Sequence, residues 1–118
     1  MSTLTSVLAT LVALEHFYIF YLETLATQSK TTGRIFNMSQ EELAKPSVDK
    51  LFKNQGVYNG LIAVCLLYGL YISKATELVA LFLIFVVAVA LYGALTTDKK
   101  ILLTQGGLAI LALFGLLF

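Results

Sequence analysis

Four apolar stretches, each close to the length of a membrane-crossing helix, take up most of this chain and restrict what it can fold into. They run from about Leu4 to Ala26, Leu51 to Ser73, Glu77 to Leu95 and Ile101 to Phe118. About 20 helical residues cross a hydrocarbon core of about 30 Å. In lipid only helices and closed barrels satisfy every backbone polar group, and none of these stretches alternates with the period of two that a barrel strand requires. The expected fold is an all-α membrane protein, one four-helix transmembrane bundle built from residues 1–118. Composition agrees: 58% of the residues are apolar and 13% charged, against roughly 25% charged in a soluble domain. A soluble chain this small has too little interior to hide so much apolar surface.

Three connections separate the stretches. Lys74–Thr76 and Thr96–Lys100 are short, whereas Gln28–Lys50 spans 23 residues, too many for bare loop. Within it, Ser39-Gln40-Glu41-Glu42 has the form of a capping box that opens a short amphipathic helix. Pro46 is expected to end that helix, and Ser47 to cap the next. The first connection, with its flank, carries Lys30, Arg34, Lys45, Lys50 and Lys53, and the third carries Lys99 and Lys100. The second has Lys74 alone. The positive-inside rule then places the first loop (residues 27–50) and the third loop in the cytoplasm, with both termini outside. No basic residue precedes the first stretch, and Glu15 and His16 interrupt it, so it is not expected to be a cleaved signal peptide.

A net charge of +1 without a basic, aromatic-rich stripe argues against nucleic acid as a partner. The single Cys65 sits in an apolar run and reads as a small buried hydrophobe. No phosphate loop, nucleophile elbow or metal-ligand spacing is present, so neither cofactor nor metal is expected.

The polar residues inside the stretches are the candidate site. On a helical wheel Glu15, His16 and Glu23 fall within an arc of about 100°, and Gln55 and Asn59 lie about 40° apart. Gln55, Asn59, Tyr92 and Gln105 all fall in the half of their stretches nearest the basic loops, as does Glu23. A central carboxylate costs about 2.5–3.5 kcal/mol to insert, so it needs a partner or a wet cavity. The seven are therefore candidates for ligand binding or proton exchange, against a plainer reading as interhelical hydrogen bonds. Gly56 and Gly60 form a GxxxG pair, and Gly93, Gly106 and Gly107 are further positions where helices can approach closely.

At these residues the chain resembles a known bacterial family. Ala13-Leu14-Glu15-His16-Phe17-Tyr18-Ile19 with Tyr21-Leu22-Glu23 is similar to its first-helix signature, and Asn54-Gln55-Gly56-Val57-Tyr58-Asn59-Gly60 to its second. Tyr92-Gly93-Ala94, Lys100-Ile101-Leu102 and Gln105-Gly106-Gly107-Leu108-Ala109-Ile110-Leu111 are similar to the third and fourth. The family is the domain-of-unknown-function group numbered thirteen-oh-four. The resemblance implies a small four-helix inner-membrane protein and carries no activity with it. Members are sometimes labelled epimerase, which no residue here supports: the glycine fingerprint of a nucleotide-binding fold is missing.

Three functions are compatible with the residues. The first is a binder of a small molecule or ion, a transporter or accessory transport subunit. Four helices are few for alternating access, so a homodimer is expected in that case. The second is a membrane-embedded enzyme on a lipid-soluble substrate, with Glu15 or His16 as acid or base. The third is a structural subunit in which the polar residues only fix helix packing. The partners expected are the lipid bilayer and an unidentified small molecule.

Overall fold

The computed structural model describes residues 1–97 and 99–117, with the backbone alone at Ile101. All regular structure among the described residues is helical. Helix α1 is Thr3–Phe20 and runs on into a wider π-helical turn, Tyr21–Leu25. Two short helices follow, α2 (Lys30–Phe36) and α3 (Gln40–Leu43). Helix α4, Pro46–Leu67, also ends in a π-helical turn, Tyr68–Ile72. Helices α5 (Thr76–Thr96) and α6 (Lys100–Leu117) complete the chain. By length and composition three continuous helices among the described residues are able to cross a membrane: Thr3–Leu25, Pro46–Ile72 and Thr76–Thr96. The apolar part of α6, Leu102–Leu117, is shorter. The expected last residue of the fourth helix, Phe118, lies outside the described residues.

The segment between the first two long helices follows from local rules. Ser39 accepts a hydrogen bond from the Glu42 N–H, and the Glu42 side chain accepts one from the Ser39 N–H, each at 3.0 Å. That closed capping box satisfies two otherwise orphaned donors. The Ser39 N–H, and after it the Ser39 hydroxyl, hold the Glu42 carboxyl below its ordinary range. Helix α2 is an addition to the expected elements. It is capped by Ser29, whose hydroxyl accepts from the Thr32 N–H at 3.2 Å. It stops at Asn37, which takes the left-handed conformation at φ 55°, one that asparagine tolerates better than most residues. The chain folds back so tightly there that a Cβ on Gly33 would sit 2.8 Å from the Met38 carbonyl oxygen. Pro46 corrects one expectation. It opens α4 rather than closing α3, because proline suits the first helical position, where no N–H partner is needed. Ser47 is therefore inside the first turn instead of capping it, and α4 begins five residues before Leu51.

The chain packs as two compact units. One joins Met1–Leu14 to the chain from Val64 onward. Its core is a strip of modest side chains. Helix α5 buries Val79, Leu83, Val86, Ala90 and Ala94, while Leu81, Ile84, Val89 and Leu95 on its other sides are 54–77% exposed. Apolar residues all round a helix, small inward and large outward, are what a lipid-facing span requires. A Cβ on Gly106 of α6 would meet Ala90 at 3.1 Å, and one on Gly115 would run into the Thr5 hydroxyl. Tyr71 and Thr10 are joined through their hydroxyls at 2.6 Å. Thr10 donates its own proton to the Ser6 carbonyl at 2.7 Å, so the tyrosine is the donor.

The second unit is Glu15–Ala63. Here Gly60 of α4 receives Phe20 of α1, whose ring a Cβ would meet at 3.1 Å. Gly56 receives the turn after it: a Cβ there would lie 3.0 Å from both Glu23 Cβ and the Thr24 backbone nitrogen, and would collide with the Thr24 hydroxyl. Phe36 and Phe52 pack edge to face with ring centres 5.3 Å apart. Gly107, by contrast, faces open space. Gly56→Ala is accordingly expected to destabilise the protein by about 1–3 kcal/mol, the usual range for overpacking a closed contact. Gly107→Ala should be neutral or slightly stabilising through helix propensity. Unfolding of both variants in detergent checks this, and equal effects would contradict the packing described.

Candidate functional site

The site is built on the π-helical turn that ends the first long helix. The Ala26 N–H reaches the Tyr21 carbonyl, five residues back, at 2.9 Å. Widening the turn takes nearby carbonyls off the regular ladder, and a buried carbonyl needs another donor. Threonines supply it. The buried Thr27 hydroxyl donates to the Glu23 carbonyl at 2.6 Å. The buried Thr32 hydroxyl lies 2.8 Å from the Ala26 carbonyl and 3.1 Å from that of Leu22, with one proton shared between them. Thr24 donates across to the Lys53 carbonyl of α4 at 2.9 Å.

This framework holds Glu23, whose side chain has 0% exposure. Its Oε1 accepts from Asn59 Nδ2 at 2.6 Å. The second hydrogen of that amide goes to the Gln55 carbonyl at 3.2 Å. Two acceptors on one nitrogen fix which way the amide points. Glu23 Oε2 is buried and, among the described residues, has no hydrogen-bond partner. Lys53, one turn before Gly56 on α4, is held by Asp49 at 2.7 Å.

The other expected site residues are placed as follows. His16 is buried at 5% exposure. Glu15 is half-buried, and its Oε1 is shut off from solvent with no hydrogen-bond partner among the described residues. Glu15 and Glu23 are separated by about 12 Å of helix rise, so they are two positions and not a carboxylate pair. Gln55 is exposed and contributes its backbone carbonyl to Asn59. Tyr92, 71% exposed on α5, and the half-buried Gln105 on α6 belong to the other unit. Among the described residues no group of three His, Cys, Asp or Glu side chains stands together to hold a metal ion.

The threonines are the site residues that sequence reasoning overlooks. Thr27 follows Glu23 at one helical turn, the spacing at which a hydroxyl bonds back to the main chain. That spacing is a usable signal. The wide turn itself carries no sequence signature, and it makes a count of 100° per residue fail beyond Phe20.

The comparisons with known proteins agree on kinship. The family model described as "Protein of unknown function (DUF1304)" matches residues 10–117. The chain is similar to the "Uncharacterized protein YpaA" of Lactococcus lactis subsp. lactis (strain IL1403), with 61% identity over 119 residues and 100% of both chains covered. No solved structure matches. The chain thus belongs to the DUF1304 family of proteins of unknown function.

Proposed function

We propose that this protein is a four-span protein of the bacterial cytoplasmic membrane whose buried Glu23 binds a small molecule or ion, in the manner of a transporter or an accessory transport subunit. The observation that carries the reading is Glu23 Oε2, an acceptor enclosed by protein with nothing to accept. An unused buried polar atom costs about 1–3 kcal/mol. If the residue served packing alone, the Asn59 bond would be met as well by a neutral amide. A visiting donor explains why a carboxylate stands there instead.

Location supports the same reading. Glu23 lies at the end of its helix next to the basic segment 27–50, and Asn59 lies two turns into α4 beyond Lys50 and Lys53. With that segment in the cytoplasm, the carboxylate sits just inside the inner membrane surface, within reach of a cytoplasmic ligand. Helix α6 has 18 residues, about 27 Å of rise, close to a full hydrocarbon core. It completes a fourth span and returns the C-terminus to the outside.

Orientation is checked with single cysteines in a Cys65→Ser background. An impermeant maleimide should label Lys74→Cys in intact cells and Gln40→Cys only after the membrane is opened; the reverse pattern overturns the topology. The binding role is checked by native mass spectrometry of the purified protein beside Glu23→Gln and Glu15→Gln. A species that co-purifies with the wild type and with Glu15→Gln, and is lost from Glu23→Gln, is expected. Identical spectra for all three proteins would favour a packing role.

A further inference from the structure

The ligand's chemistry follows from where the hydrogens around Glu23 already go. The Thr24 hydroxyl donates to the Lys53 carbonyl, that of Thr27 to the Glu23 carbonyl, and that of Thr32 to the Ala26 and Leu22 carbonyls. Both hydrogens of the Asn59 amide are committed, one to Glu23 Oε1 and one to the Gln55 carbonyl. None of these hydroxyl and Asn59 amide hydrogens is left to offer a ligand. The groups that keep free capacity are acceptors: Glu23 Oε2 and the amide oxygen of Asn59, whose bonds among the described residues are made by its nitrogen. No lysine or arginine is paired with the carboxylate among the described residues, and Lys53 is held by Asp49. Packing tightens the demand, since Gly56 closes one side of Glu23 and Phe20 lies against Gly60 one turn further along α4. With Glu23 ionised, a ligand entering this place has to bring both positive charge and hydrogen-bond donors.

We infer that the Glu23 site takes a protonated amine, which would donate N–H bonds to Glu23 Oε2 and to the Asn59 side-chain oxygen. The inference rests on the binding role proposed above and adds the class of ligand. A carboxylate or phosphate would meet acceptors only. A quaternary ammonium would satisfy the charge and leave both acceptors without a hydrogen.

Calorimetry with the full-length protein in detergent separates these cases, using four probes that share one ring: benzylammonium, benzyltrimethylammonium, benzyl alcohol and benzoate. Benzylammonium is expected to bind most tightly, and to bind roughly tenfold or more weakly to Glu23→Gln, as for loss of a charge-assisted hydrogen bond. Equal affinity for benzyltrimethylammonium, or binding of benzoate as tight as that of benzylammonium, would overturn the inference. Binding of none of the four, by a protein whose co-purifying species is still lost in Glu23→Gln, would also overturn it while leaving the binding role intact. Should Glu23→Gln not fold, the wild type suffices. Benzylammonium, and not benzoate, should slow modification of Glu23 by a hydrophobic carbodiimide, and equal protection by the two would count against the amine.

Discussion

One carboxylate with no access to solvent, at the end of a long and mostly apolar helix, sets the terms for the Glu15–Ala63 unit. Glu23 can be there only because several other residues make room and supply bonds. Gly56 leaves the space on α4 that a side chain would fill. Asn59, one turn further, gives the hydrogen that Oε1 accepts at 2.6 Å. The π-helical turn carries Glu23 to this position, and Thr27 and Thr32 repair the main-chain bonds that the wide turn disrupts. Each is a separate local compromise, and all serve one side chain. Such turns are found frequently at functional sites.

Elsewhere the packing is of the kind that helices able to cross a membrane require. Lipid tails are as apolar as leucine, so burying a leucine between helices gains little, and close contact of small residues holds spans together. The contacts made by Gly60, Gly69, Gly106 and Gly115 express this rule, as does the Val79-to-Ala94 strip of α5. Many of the large side chains point outward: Leu103 is 75% exposed and Leu117 76%. In water this surface would drive aggregation; in a bilayer it is the face that lipid covers.

Much of this is legible in the sequence, and the reasons differ from element to element. The long helices are visible because length and apolarity are crude quantities that tertiary structure seldom overrides. The Ser39–Glu42 box is visible because a cap is decided within four residues. Pro46 misleads because proline ends one helix and starts the next with the same fixed φ, and only the surrounding chain decides which. The topology expected from the sequence puts Glu23 and Asn59 at one depth, but their pairing requires the wide turn, which no residue pattern announces. Wheel and depth arguments gather seven residues, and the structure joins Glu23, Asn59 and the backbone of Gln55. It places Tyr92 facing outward instead. Depth constrains a residue along the membrane normal and says nothing of its direction around the helix.

The most direct test of this account is a double-mutant cycle on Glu23→Leu and Asn59→Leu, read as unfolding free energy in detergent. If the two side chains form the bond described, the effects are non-additive: removing Asn59 after Glu23 has been changed costs less than removing it from the wild type, with a coupling of about 1 kcal/mol or more, as expected for a hydrogen bond to a charged group. Strictly additive effects would mean that the carboxylate and the amide do not meet, and the site built on them would fall.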